Sequence, residues 1–199
     1  LVEHAAARRA FANSFGLSAS AAVIIVAVAV PLAYFLVWRR NHALRVLGFL
    51  TEIPYALPGV VLAIAAILLF LKPLPLLGFS LYNTIWIILF CYLARFLVLG
   101  LRPIVNGYHQ LDRMLEEAAQ IAGARLLQRL WTVILPLVAP AAAAGALLIF
   151  LTAFNELTVS ALLWSSGAET LGVTVFSFQQ GGDTTYAAAL SMLTVVVSV

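Results

Sequence analysis

Groups able to do chemistry are sparse in these 199 residues. His4, His42 and His109 stand far apart, and no H-x-x-x-H or His–Glu spacing puts two metal ligands on one helix face. Cys91 is the single cysteine and lies in an apolar run, so neither an internal disulfide nor a thiolate metal site is expected. The serines and threonines have no His and Asp at positions that suggest a nucleophilic triad. No G-x-x-x-x-G-K-[ST] phosphate loop is present, so the chain is expected to have no ATPase site and no enzymatic activity of its own. What remains is polarity in unusual places. Glu52, Arg95 and Asn155-Glu156 stand in or beside apolar runs, and a cluster of charges extends from Asp112 to Arg129.

Arg95 is costly where it stands. A guanidinium at mid-bilayer costs about 2.5–3.5 kcal/mol on insertion scales, so such a group faces the interior, finds a partner or snorkels to the interface. A structural pair with Glu52 is the expectation, and a place on a translocation path is the alternative. Asn155-Glu156 either lines an outer gate or ends a helix among lipid headgroups.

The elements that hold these groups must be membrane helices. The chain is 64% hydrophobic and 10% charged, against about 25% charge in a soluble domain. A crossing helix needs roughly 20 apolar residues. Runs at about 17–38, 54–71, 81–101, 137–154 and 186–199 qualify, the last still apolar at the final residue. Sheet edges cannot face lipid, so the fold class is all-α with five spans. The chain reads as one transmembrane domain over 1–199, truncated at its C-terminus. Pro31, Pro54 and Pro58-Gly59 are expected to kink or open their helices. The small residues of 139–146 permit close helix approach. Leu157–Trp164 and Thr170–Phe178 are too short to cross and are expected as short helices, although Val173 and Val175 also suit a strand. Gly181-Gly182-Asp183 marks a loop before the last span.

Basic residues set the orientation. Arg39, Arg40 and Arg45 follow the first span, and Arg102, Arg113, Arg125 and Arg129 lie between the third and fourth. Residues 155–185 carry Glu156, Glu169 and Asp183 and no Lys or Arg. Arg8 and Arg9 dissent. The expectation is a cytoplasmic 102–136 loop and an outer N-terminus, with Trp38 and Trp131 at the inner interface and Trp164 at the outer one. Charges partitioned in this way do not make a nucleic-acid surface.

The loop itself carries an amphipathic pattern. Asp112 suits an N-cap, and Glu116 and Glu117 suit the positive end of a helix dipole. Leu115, Ala119, Ala122, Leu126, Leu130 and Val133 recur at spacings of three and four and predict one apolar face. Gly123 predicts a break, and Pro136 the end of a second short helix and the start of the next span. Such an element either lies on lipid or docks in a protein groove.

Glu117-Ala118-Ala119, three residues, Gly123, nine residues, then Val133-Ile134-Leu135-Pro136 resembles the EAA loop of permease subunits of binding-protein-dependent ABC importers. Val133 stands where the pattern has Ile. The resemblance implies a five-span type I importer fold with a coupling helix between spans three and four, docked on a separate ATPase subunit. Glu116, Glu117, Ala118, Ala119, Gly123, Leu135 and Pro136 would be its ATPase-coupling residues. It also implies two ATPase subunits that bind the ATP and Mg, a second permease domain identical or fused, an extracytoplasmic solute-binding protein and a bacterial inner membrane. No cofactor or metal is implied for this chain. Phe154-Asn155-Glu156-Leu157 with Gly167-Ala168-Glu169-Thr170-Leu171 is similar to the ferric-iron group, whose permeases often fuse two such domains. Thiamine, polyamine, sulfate and phosphonate permeases are the related alternatives, and an ATP-independent transporter or channel is the competing class.

Overall fold

The computed structural model describes residues 2–39, 41–72 and 80–198. Arg40 and Val199, used above for orientation and for the last span, lie outside the described residues. Every regular element among the described residues is helical. The alternation at Val173 and Val175 is therefore part of a helix.

α1 (Val2–Trp38) is longer than expected, because the Ala-rich stretch before Leu17 continues it toward the N-terminus. Its apolar part, Ala6–Trp38, has 33 residues, about 50 Å at 1.5 Å per residue against a hydrocarbon core of about 30 Å. α2 (His42–Leu50), α3 (Ile53–Ala56) and α4 (Gly59–Phe70) follow. The second expected span is not one straight helix: 42–56 and 59–70 meet at 107°. The bend falls at Leu57, extended at φ −77°, ψ 141°, directly before Pro58. The proline ring disfavours helical geometry at the residue before it. α4 alone has 12 residues, about 18 Å, too short to cross.

α5 (Ile85–Gln110) runs on past the expected end at Leu101 with Pro103 inside it. α6 (Arg113–Ile121) and α7 (Leu126–Arg129) form the loop, and α7 passes through a π-turn (Leu130–Ile134) into α8 (Leu135–Phe154). α9 (Ser160–Leu163), α10 (Leu171–Gln180) and α11 (Thr184–Ser198) complete the chain. Among the described residues three helices are long and apolar enough to cross a membrane, or four if the bent pair is one span. α11 has 15 residues and falls short of that length.

α1, α5 and α8 pack on one another as the central bundle. α8 buries Val138, Ala142, Gly145, Ile149 and Ala153, a stripe at helical spacing with the exposed Leu147 and Leu148 on its far side. At the crossing with α5 the two backbones touch. A Cβ on Gly145 would sit 3.2 Å from the Gly100 Cα and 3.3 Å from its carbonyl oxygen. A Cβ on Gly100 would meet Ile25 of α1 and Ile149 at 2.9 Å. The Ala-rich run thus contributes Ala142 and Gly145 to the crossing and leaves its other alanines more open.

Contacts at the ends give the chain directions. The end of α1 meets the end of α5, with Trp38 stacked edge-on to Tyr108 at 5.2 Å and the Tyr108 hydroxyl donating to the Val30 carbonyl. The start of α1 meets the end of α8 through Phe11 and Phe154. α1 and α5 therefore run together and α8 runs against them. Arg39, Arg45, Arg102 and the α6–α7 loop share one end; Glu156 and Glu169 share the other. There Asn13 donates to the carbonyls of Gly167 and Glu169, and Ser14 accepts from the Leu171 amide, which ties α10 to α1. The Gly167 amide donates to the Glu169 carboxylate and holds its pKa below the ordinary value.

Gly145→Ala is expected to destabilise the bundle by about 1–3 kcal/mol, since the methyl meets backbone rather than a movable side chain. Gly16→Ala, where a Cβ meets nothing within 4 Å, is the control. Thermal melting of the detergent-solubilised chain should separate the two.

Candidate functional site

Two polar constellations stand out, one at each end of the bundle. The first is the loop between α5 and α8. Leu111 turns extended at the end of α5, and the Asp112 carboxylate accepts from the Met114 amide to start α6. α6 ends at Ala122, and Gly123 takes φ +86°. That is the left-handed C′ position where glycine is favoured. A Cβ there would touch nothing within 4 Å, so the requirement is conformational.

α6 lies with its apolar side chains outward. Ile121 is 88% exposed and Met114 70%, and Leu115 and Leu127 are also exposed. Glu117 is exposed beside Ala118 and pairs with Arg113 one turn earlier at 3.1 Å. Ala119 is half-buried. The expected continuous apolar face from Leu115 to Val133 does not exist. The turn at 122–125 breaks the helical register, so Leu130 and Ile134 face the core while Leu115 and Ala122 face out.

What α6 buries is a charge. Glu116 is 5% exposed and is the buried residue of the helix. Its carboxylate accepts from the Tyr34 hydroxyl of α1 at 3.1 Å and from the Arg129 guanidinium of α7. The same guanidinium donates to Gln120 at 2.9 Å. Glu116, grouped by sequence with the outward coupling residues, thus points inward. Nothing in the local pattern distinguishes it from Glu117, because the partners that bury it come from α1 and α7.

Pro136 begins the next span, as expected, in the first turn of α8, but no helix stops at it, because the chain runs on from α7 through the π-turn. A proline inside an α-helix has no amide to donate and its ring presses on the carbonyl four residues back. The wider turn, in which the Leu135 amide donates to the Leu130 carbonyl, lets the chain pass this point without breaking. Leu135 is half-buried against the inner core cluster.

The second constellation is at the other end. Arg95 pairs with Glu156 at 3.3 Å, their side chains 20% and 7% exposed. Glu156 also accepts from the amides of Val159 and Ser160 and from the Thr158 hydroxyl, so it caps the turn into α9. The predicted Glu52–Arg95 pair is not formed. Glu52 binds Arg102 at 2.9 Å in a largely exposed pair. Arg102 lies two turns beyond Arg95 on the same face of α5, nearer the end where Glu52 sits. A cleft of about 610 Å³ lies over the buried pair, lined by Tyr55, Arg95, Phe96, Thr152, Asn155 and Thr158. Asn155 itself donates to the Leu151 carbonyl. A Cβ on Gly59 would collide with Arg95 and Thr158, so the start of α4 rests on this pair.

Residues 25–199 match the family described as binding-protein-dependent transport system inner membrane component. The chain belongs to this family. It is 29% identical over 180 residues to the Fe(3+)-transport system permease protein FbpB 2 of Haemophilus influenzae, which covers 90% of this chain and 34% of the relative. It is 29% identical over 163 residues to the putrescine transport system permease protein PotI of Escherichia coli strain K12, covering 79% and 55%. The chain thus spans about a third of the length of that ferric relative. Its fold is that of a solved bacterial ABC transporter that imports the acidic polysaccharide alginate. The TM-score is 0.76 at 17% identity, over 96% of this chain and 74% of the other.

Arg95→Ala should destabilise the chain by about 3–5 kcal/mol, because it leaves the Glu156 carboxylate buried without its charge partner. Arg102→Ala removes an exposed pair and should cost less than about 1 kcal/mol. Comparative thermal melts in one detergent give the difference.

Proposed function

We propose that the chain is the membrane-spanning permease domain of an ATP-driven, binding-protein-dependent importer, with ferric iron as its cargo. It acts as one of a pair of permease domains, identical or fused, in a bacterial inner membrane. Two separate ATPase subunits bind the ATP and Mg, and an extracytoplasmic binding protein delivers the solute. The observation that carries the reading is α6. It stands at the basic end of the bundle, and its exposed face combines Glu117, the small Ala118 and uncovered apolar side chains. A helix with that face suits a protein groove better than it suits water. The basic end is the cytoplasmic one by the positive-inside rule, and the N-terminus is then outside.

Glu117, Ala118 and Ala119 make the contact, Gly123 shapes the turn behind them, and Leu135-Pro136 joins the loop to its span. The full count in the family fold is five spans, the bent α2–α4 segment and α11 being the second and fifth. The ferric relative favours iron. The putrescine relative supports a polyamine as the second reading. The cleft over Arg95 and Glu156 belongs to the outer end, on the path the solute takes.

The test is disulfide crosslinking of a cysteine at Ala119 to a cysteine on the cognate ATPase, in the assembled transporter with Cys91 replaced. A crosslink whose yield changes with ATP is expected. Labelling of Ala119→Cys by a lipid-phase probe, with no crosslink, would move the chain to the ATP-independent class.

A further inference from the structure

From the docking reading and the burial of Glu116 we infer that α6 drives the bundle through one buried linkage, Tyr34–Glu116–Arg129. Glu117, one residue away, serves only the outer contact. Two observations carry this. First, α6 has one buried residue, and it is Glu116. The exposed Arg113–Glu117 pair lies within the helix and ties it to nothing else, and at the turn behind it a Cβ on Gly123 would meet nothing within 4 Å. A push on the exposed face therefore reaches the rest of the chain chiefly through that carboxylate. Second, the carboxylate divides between α1 of the central bundle and the segment that leads into α8. Tyr34 lies on α1. Arg129 is the last residue of α7, where the π-turn into α8 begins. One displacement of Glu116 thus acts on α1 and on the foot of α8 together, and those two helices run antiparallel, with Ile25 of α1 closing over the α5–α8 crossing at Gly100 and Gly145.

The chemistry suits a linkage. An ion pair with both partners buried has few alternative geometries, because a broken pair leaves a charge without solvent. Gln120 holds the guanidinium from a second side. Arg129 Nε is buried without a partner, so the side chain is held by its Nη1 contacts to α6. Glu116 and Arg129 are positioning residues. They touch neither cargo nor ATPase, and they set how far the docked helix moves the spans.

The experiment uses the assembled transporter in membranes, with Cys91 replaced. Two single-cysteine series read two events. Ala119→Cys crosslinked to the ATPase reports docking. Thr152→Cys, in the outer cleft, reports the spans by its labelling rate with a water-soluble maleimide with and without ATP, and needs no knowledge of the cargo. In E116Q and R129Q the docking crosslink should persist, while the ATP-dependent change at Thr152→Cys falls roughly tenfold, the scale of a typical coupling term. Tyr34→Phe keeps the ion pair and removes only the α1 branch; it should give a smaller loss and decides the matter if the charge variants do not accumulate. Two results overturn the linkage. One is an unchanged ATP response in these variants with docking intact. The other is loss of the docking crosslink together with the response, which would make the pair a scaffold of the loop. A wild-type chain that gives no Ala119→Cys crosslink overturns the docking reading itself, and the linkage with it.

Discussion

The close approach of Gly100 and Gly145 is the constraint on which the rest of the architecture depends. In lipid there is no hydrophobic drive to bring helices together, so van der Waals contact between smooth surfaces has to do it. With no side chain at either position, α5 and α8 meet backbone to backbone, and Ile25 of α1 closes over the crossing. Around that crossing the end contacts set α1 parallel to α5 and opposed to α8. It follows that one end of the bundle collects the ends of α1 and α5 with the start of α8, and that the loop between α5 and α8 must project there. The opposite end collects the start of α1 and the end of α8, where α9 and α10 are held.

Each end then carries a buried ion pair, and the two differ in what they join. Arg95–Glu156 joins the middle of α5 to the chain leaving α8, under the first turn of α4. Glu116–Arg129 joins the projecting helix to the foot of α8, with α1 as third party. Exposed pairs, Glu52–Arg102 and Arg113–Glu117, lie beside them and are worth little in comparison, since water and salt compete with them. Burial is expensive, so such pairs specify geometry more than they add stability. At both ends the specified geometry is the relation between a helix of the central bundle and a short element packed on it.

Much of this was legible from residue types. The apolar runs of α1, α5 and α8, the N-cap at Asp112, the break at Gly123 and the short helices between 157 and 180 follow from local rules, and the structure has them; the second run is bent and α11 falls short of a span. The errors share a cause. Sequence gives depth only coarsely, so it suggests Glu52 with Arg95, whereas Arg102 on the same face of α5 lies closer to Glu52 and takes the contact. Glu116 was grouped with Glu117 because the partners that turn it inward, Tyr34 and Arg129, are remote or lie beyond a turn. The single apolar face from Leu115 to Val133 assumed an unbroken helix, although Gly123 argued against one. At Pro58, by contrast, the expected kink is present, and with the extended Leu57 it turns the chain by 107°. For the two carboxylates the long-range partner is what the local pattern does not carry.

The π-turn at Leu130–Ile134 has a consequence for how this chain tolerates length change. A turn closed from residue i to i+5 holds one more residue than an α-turn. Removing one residue there would let the helix run regular from α7 into α8. Every side chain before the deletion would then swing by about 100° around the axis relative to α8. Arg129 would leave Glu116 and turn toward another side of the bundle, and the projecting helix would be aimed elsewhere although none of its own residues had changed. The extra residue thus sets the direction in which the loop faces, and a chain one residue shorter at this point would present a different surface from the same sequence.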